Sequence, residues 1–269
     1  DVERSRGLGD VYKRQVLSAQ SLDANLKSEF IDSIISESAI SKDHANSFGK
    51  IIIQDSGGRM KPANTFSSEL LRKVSRSNSY NGLNSDQVLV SIMDNPGVWF
   101  NAPIVYIKSG QKGDTIKKII GVDEKIKKAP LVSFFDSLGN YKLATNLEKA
   151  YLSNVPSQIE KDIIELDRRV NLLYSALEGK IMRIFPVPND VNNKWISYPE
   201  ISEYTYEGAD SLYVNNVLNL YFQTLRVARQ DQDYTQSEEL LESIKGFQKK
   251  YGSKAVSYTH LRAHETSLH

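Results

Sequence analysis

Gly49–Ser75 reads GKIIIQDSGGRMKPANTFSSELLRKVS, and its reading sets the fold class. The β-branched run Ile51-Ile52-Ile53 favours an extended, half-buried backbone. It meets a turn signal at Asp55-Ser56-Gly57-Gly58, where two glycines admit backbone angles that side chains forbid. Lys61 precedes Pro62 and is biased towards extended geometry, which sets Arg59–Pro62 apart as a link. Thr65 then offers an N-cap oxygen, and Leu70, Leu71 and Val74 fall at helical spacing. Strand, turn and helix in succession predict an α+β chain. The basic residues of the corner, Arg59 and Lys61, are either solvated or form a contact surface for an anionic or protein partner.

Upstream, Phe30, Ile31, Ile34 and Ile35, with Leu26, repeat at helical spacing, and Glu29 and Asp32 occupy the other side. A second, short helix is expected from Ser41 to Gly49, with Asp43 in its first turn. His44 sits in it, either as a helical histidine at or near the surface or as a haem or metal ligand. It has no second ligand nearby.

Downstream, Ser75 to Leu83 reads as a polar loop. Asn84 or Ser85 caps a helix carrying Val88, Leu89, Ile92 and Met93, broken at Asn95-Pro96-Gly97. Pro103 interrupts the next apolar stretch, leaving an edge strand over Ile104–Lys108, with Trp99 as a core anchor. Thr115–Gly121 suits a helix or a strand. Lys117, Lys118, Lys125, Lys127 and Lys128, interleaved with Ile119, Ile120, Val122 and Ile126, read as the solvated face of a half-buried element. Ala129–Phe135 is a strand or short helix, Asp136–Asn140 a turn, Tyr141–Leu143 extended and Asn146–Leu152 helical.

The clearest helix signal follows. Ser157-Gln158-Ile159-Glu160 is a capping box. Ile159, Ile163, Leu166, Val170, Leu173, Leu177 and Ile181 then alternate by fours and threes, as in a coiled-coil seam. Arg168 and Arg169 flank it within reach of Asp162 or Glu165. Asp162, Glu165 and Asp167 read as ordinary surface charge. Arg183–Pro188 is extended, and Trp195–Tyr198 adds a strand. A helix from Asp210 or Ser211 carries Leu212, Val217, Leu218, Tyr221, Phe222 and Leu225 to a break at Asp231-Gln232-Asp233. Tyr234–Tyr251 closes the chain with Leu240, Leu241, Ile244 and Phe247 on one face. The expectation is a helix-rich α+β chain: a small strand-containing part over 16–152, then a mainly helical part over 153–255.

The corner also carries a resemblance. HANSFG at His44–Gly49, QDSGGRMKP at Gln54–Pro62 and NTFSSELLRK at Asn64–Lys73 begin it, continued by Tyr80-Asn81-Gly82 and NSDQ at Asn84–Gln87. It returns in RVNLLYSAL at Arg169–Leu177, RIFP at Arg183–Pro186, PND at Pro188–Asp190 and GFQKKYG at Gly246–Gly252. Together these blocks resemble the large extracytoplasmic segment of the fused cytochrome c biogenesis proteins of Bacteroidetes-type bacteria (system II, the CcsA/ResB–ResC type).

The resemblance implies a soluble periplasmic piece of a bacterial inner-membrane protein that delivers haem and attaches it to apocytochrome c, an activity similar to that of a cytochrome c synthetase or haem lyase. In that family the haem chemistry lies in a tryptophan-rich motif and histidines of the membrane half, which Trp99 and Trp195 do not match. It therefore implies docking or scaffolding rather than catalysis. It implies no catalytic, metal or cofactor-binding residues and no cofactor held by this segment; His44, Arg59 and Lys61 are the candidate partner contacts. The implied partners are the remainder of its own membrane protein and apocytochrome c, with the membrane reached through flanking spans. The alternative from a different class is a free periplasmic helical peptide- or protein-binding module. A hydrolase would need a polar cluster for which the sequence offers no motif.

The two ends stand apart. Ser5–Gln15, SRGLGDVYKRQ, and Val256–Thr266, VSYTHLRAHET, resemble translations of opposite strands of one sequencing-adapter oligonucleotide. Residues 1–15 and 256–269 are accordingly expected to be adapter-derived and disordered. The spacing of His260, His264 and Glu265, zinc-like on a helix, is then an accident. Setting aside Arg4, Arg6, Lys13, Arg14 and Arg262 from 34 basic residues, and Asp1, Glu3, Asp10 and Glu265 from 33 acidic ones, leaves 29 of each. That balance argues against a nucleic-acid binder, which needs a basic excess. The absence of cysteine excludes disulfides, thiolate nucleophiles and Cys-ligated zinc.

Overall fold

The computed structural model describes residues 24–252. The adapter-like ends and the side chain of Leu26 lie outside what it describes. In chain order the first elements are α1 (Ala24–Glu37), α2 (Lys42–Phe48), β1 (Ile52–Gln54), β2 (Met60–Pro62), α3 (Ala63–Ser75), β3 (Ser79–Tyr80) and β4 (Leu83–Asn84). Then come α4 (Ser85–Asp94), α5 (Pro96–Asn101), β5 (Pro103–Tyr106), α6 (Gln111–Ile120), β6 (Lys128–Pro130), a 3-10 turn (Leu131–Phe134), α7 (Ala144–Leu152) and α8 (Gln158–Leu177). The chain continues with β7 (Phe185–Pro186), β8 (Trp195–Ile196), a 3-10 turn (Tyr198–Glu203), α9 (Gly208–Asp231) and α10 (Thr235–Tyr251). The fold is helix-rich α+β. Among the described residues the named strands pair only as two-stranded antiparallel ribbons, β1–β2, β3–β4, β5–β6 and β7–β8.

Contacts group the chain into two compact units. One holds residues 24–37, Arg72–Ser77 and Asn95–Tyr174; the other holds Ser38–Leu71, Asn78–Asp94 and residues 175–252.

In the first unit α1 buries Ile31 and Ile35 and packs on α5, whereas Phe30 is 61% exposed and does not join that face. The helix carrying Val88 to Met93 ends at Asp94, at the expected break, but a second helix follows it at once. Pro96 opens α5, because a proline at the first helical position loses no intrahelical bond. Trp99 and Phe100 are thereby buried. The strand that follows is shorter than expected, Pro103–Tyr106, and pairs with β6 through a register shift between Pro103 and Val105. Thr115–Gly121 is helical, ended by Gly121 in the left-handed conformation. Lys117 is a correction: it is 2% exposed, and its ammonium donates to Asp114 Oδ1 at 3.2 Å and to the Glu124 carbonyl.

The capping box of α8 is present, with the Ser157 amide donating to Glu160 Oε2 at 2.6 Å. Its seam residues Ile163, Leu166, Val170 and Leu173 are buried, but the helix ends at Leu177 and leaves Ile181 outside it. Arg169 pairs with Glu165 and lies over the Tyr106 ring. Asp162 is not ordinary surface charge. It is 6% exposed and accepts from Lys108 Nζ at 3.1 Å and Gln158 Nε2 at 2.9 Å.

The second unit is built around the corner. Ser41 Oγ accepts from the His44 amide at 3.2 Å and starts α2, as the sequence predicts. Asn84 and Gln87 cap α4 reciprocally: each side-chain oxygen accepts the other's amide, at 2.9 and 3.1 Å. At the far end of α4, Asp94 accepts from Arg226 Nη2 at 3.1 Å and Arg229 Nη1 at 2.9 Å. α9 begins at Gly208, ahead of the expected start, and packs along α10. It buries Val214, Val217, Leu218, Tyr221, Leu225 and Ala228 and leaves Leu212 72% exposed, so Leu212 lies off the expected face.

Candidate functional site

The turn of the corner is held by one carboxylate. Asp55 Oδ1 accepts the amides of Gly57 at 2.9 Å and Arg59 at 3.0 Å, and Gly58 sits at φ +78°, where a side chain would be strained. Burial pushes the Asp55 carboxyl up, but these amides and Lys61 outweigh it and leave it below its usual range. Arg59–Pro62 is not a free link. Met60–Pro62 is strand β2, with Ile52 opposite Pro62 and Gln54 opposite Met60.

The helix after it starts at Ala63 rather than after Thr65. A helix begins with unpaired amides, and here the incoming chain takes two of them. Ala63 N–H donates to the Ile51 carbonyl at 2.8 Å and Asn64 N–H to the Gly49 carbonyl at 3.0 Å. The Thr65 hydroxyl instead donates to Asn64 Oδ1 at 3.2 Å. This close approach explains Gly49: a Cβ there would lie 2.9 Å from Asp86 Oδ2 and 3.0 Å from Asn64 Cβ. Asp86 is 7% exposed and accepts from Ser67 Oγ; burial raises its carboxyl pKa, and that bond offsets part of the rise.

Two buried glutamines bind the ribbon to distant chain. Gln54 Oε1 accepts the Trp195 amide at 2.7 Å, its Nε2 donates to the Asn193 carbonyl at 3.0 Å, and its own amide donates to the Arg183 carbonyl at 3.0 Å. Gln248, from α10, accepts the Ile52 amide at 3.2 Å and donates to the carbonyls of Ile52 at 2.8 Å and Ile184 at 3.0 Å. A primary amide offers the same donor and acceptor as a peptide group, so each glutamine completes hydrogen bonding that a neighbouring strand would supply. Beyond Gln248, Gly252 lies against Trp195, where a Cβ would come 2.4 Å from Cζ2. Blocks far apart in sequence, at 44–49, 54–62, 84–87, 183–186 and 246–252, are thus drawn into one unit.

His44, Arg59 and Lys61 do not form one cluster. Arg59 is exposed in the turn. Lys61 Nζ lies 3.1 Å from both Asp55 Oδ2 and Glu69 Oε2. Burial lowers its pKa, but the two carboxylates more than reverse that and raise it. His44 is 2% exposed, not a surface histidine. Its Nδ1 is 2.6 Å from Glu238 Oε1 and its Nε2 2.9 Å from the Tyr221 hydroxyl, while the Tyr234 ring stacks on it at 4.9 Å. Burial lowers the His44 pKa more than Glu238 raises it. Burial also holds the Tyr221 hydroxyl protonated. The consistent tautomer carries the proton on Nδ1, donating to Glu238, and accepts from Tyr221 at Nε2. Both nitrogens are occupied by the fold, which leaves neither for haem iron or a metal. A depression of about 350 Å³ opens beside it, lined by Ser41, Asp43, Ser47, Gln232, Tyr234 and Glu238.

The chain is similar to Protein NrfI of Wolinella succinogenes. The two are 28% identical over 220 residues, which is 80% of this chain and 23% of NrfI. The chain therefore spans about a quarter of the length of this relative. No family model matches the chain.

Periodicity gave no warning of Gln54, Gln248 or Glu238, and it placed Tyr221 on the buried face of its helix without showing that its hydroxyl meets His44. The available signal was that both glutamines fall inside the resembling blocks, Gln54–Pro62 and Gly246–Gly252. Among the described residues no group of three or more His, Asp and Glu is arranged to hold a metal ion, and no helix is long and apolar enough to cross a membrane.

Proposed function

We propose that this chain is the soluble extracytoplasmic segment of a system II cytochrome c biogenesis protein, and that it docks or scaffolds components of haem delivery and attachment rather than performing the chemistry. The observation that carries the reading is the likeness to NrfI over most of the chain, together with the gathering of most of the resembling blocks into the second unit. The residues most open to chemistry support the non-catalytic side of it: both nitrogens of His44 and the ammonium of Lys61 are committed to partners within the fold. Arg59, held outward by the Asp55 turn, is left as the contact candidate. The partners are the remainder of the same membrane protein, which also reaches the membrane and handles haem, and apocytochrome c. Nucleic acid is not among them, given the even charge balance.

Titration of fluorescently labelled apocytochrome c with the purified chain, followed by anisotropy, tests the reading. Saturable binding with a Kd below about 100 μM, weakened by Arg59→Glu, is the expected result. Absence of binding at several hundred micromolar would overturn docking of apocytochrome. Covalent haem attachment by the isolated chain, scored as a pyridine haemochrome, would overturn the non-catalytic role.

A further inference from the structure

The stretch Lys108–Lys128 carries seven basic residues against three acidic ones, whereas the chain without its adapter-like ends is balanced. It is one closed excursion of the first unit. It leaves β5 and returns to β6, and where its two ends meet the Ile107 amide donates to the Lys127 carbonyl at 2.9 Å. Within it α6 buries Gly113, Ile116, Lys117 and Ile120. The same helix turns Lys112, Thr115 and Lys118 to solvent on an arc of about 120°. Lys118 Nζ meets Glu124 Oε1 of the returning loop at 3.1 Å, so the loop borders that exposed stripe.

The three acids of the excursion are already committed. Asp114 pairs with Lys117, Glu124 pairs with Lys118, and Asp123 Oδ1 accepts the Lys125 amide at 2.7 Å. Asp162, from α8, holds Lys108. Lys112, Lys125 and Lys127 are exposed and Lys128 is half-buried. None of these four makes an ion pair among the described residues, although Asp162 feels the charge of Lys112. Four cations are thus left over on one excursion, with Ile119, Val122 and Ile126 half-exposed among them.

Unpaired cations call for an anionic counterpart, and the residue types decide its kind. Protein interfaces are enriched in aromatic residues, Met and Arg and depleted in Lys. Lys108–Lys128 contains no Phe, Tyr, Trp, Met or Arg. Base stacking on single-stranded nucleic acid and bidentate phosphate recognition need those same aromatic and Arg side chains. Lysine, a compact charge on a flexible stem, suits a diffuse anionic surface, and aliphatic side chains between lysines suit its headgroup layer. We propose that the Lys108–Lys128 excursion lies on a lipid bilayer bearing anionic headgroups. The proposal rests on the preceding reading only in placing a membrane within reach of the chain.

Each lysine close to such a surface strengthens partitioning about fivefold, so four give half-binding at about millimolar lipid. Flotation of the full chain with vesicles of about 30 mol% phosphatidylglycerol in phosphatidylcholine, at about 50 mM salt, tests this. Binding should vanish on phosphatidylcholine alone. Lys112→Gln/Lys125→Gln/Lys127→Gln should weaken it about 100-fold, to below detection at these lipid concentrations. The same charge change in the second unit, Lys42→Gln/Lys50→Gln/Lys249→Gln, should leave binding in place. No binding at about 5 mM lipid, equal binding to phosphatidylcholine, or equal loss in both triple variants overturns the proposal. If polyglutamate binds through Lys112, Lys125 and Lys127 while vesicles do not, the excursion serves an acidic protein and the proposal falls. Apocytochrome binding is measured without lipid, so either reading can fail alone.

Discussion

Replacing Gln248 by alanine should cost the second unit about 3–5 kcal/mol. The side chain is 2% exposed and makes three hydrogen bonds, two of them to Ile52 and one to the Ile184 carbonyl. Each bond contributes about 1 kcal/mol net, and each buried backbone group left unpaired adds a penalty of about 1–3 kcal/mol unless water enters. The isosteric Gln248→Glu separates hydrogen bonding from packing. A carboxylate still accepts from the Ile52 amide, but its second oxygen then faces two carbonyls and repels both. A protonated carboxyl donates to one of them. Burial raises the folded pKa of such a group above its unfolded value, so Gln248→Glu should regain stability as pH falls from 8 to 5. Urea unfolding followed by far-ultraviolet dichroism and tryptophan fluorescence reads both effects. With m at about 2–3 kcal/mol/M, Gln248→Ala should lower the midpoint of the affected transition by about 1–2 M. A loss under about 0.5 kcal/mol, or a Gln248→Glu protein as stable as the parent at pH 8, would refute the view that this amide stands in for a strand.

Three other outcomes follow from the geometry. Gly113→Ala should destabilise by about 2–4 kcal/mol in thermal melts, since its Cβ would stand 1.7 Å from the Lys108 carbonyl oxygen and the backbone must move; an unchanged melting temperature would contradict the packing of α6. Removing Asp94 by alanine should cost about 3 kcal/mol in the same melts, because Arg229, largely buried, loses its carboxylate; Arg226, more exposed, adds little. The folded pKa of His44 lies below its unfolded value, so the unfolded chain takes up the proton first and stability falls as pH drops below about 6.5. His44→Gln should flatten that part of the pH–stability curve, and an identical slope in both proteins would count against a buried, neutral His44.

Signals that are local in the chain were readable from it. Ser41, the Asn84–Gln87 pair and the Ser157–Glu160 box each cap the helix they announce, because donor and acceptor lie within three residues. What depended on distant partners was not readable. Pro96 breaks one helix and opens the next, and only the burial of Trp99 and Phe100 decides between those roles. Lys117 looks like solvated charge until the Glu124 carbonyl and Asp114 close over it. Phe30 and Leu212 share the period of their helices but stay exposed among the described residues. At the corner, Thr65 was a sound cap on local grounds, yet the carbonyls of Gly49 and Ile51 arrive first. Residues separated by tens of positions are drawn together in each unit, and no periodicity encodes such a meeting. Arg59 and Lys61 were legible as a basic corner, while the carboxylates that neutralise Lys61 were not.

The Gln248 amide reaches Ile52 across 196 positions of chain, and that separation has a temporal side. At about 5–20 residues per second, a ribosome needs about 10–40 s after making Ile52 to make Gln248. Through that interval β1 and β2 exist without the side chain that closes their outer edge, and an unclosed edge is a template for pairing with any other extended chain. Nascent chains halted before residue 248 should therefore be the sticky ones, captured by a holdase or lost to aggregation, while chains only slightly longer escape both.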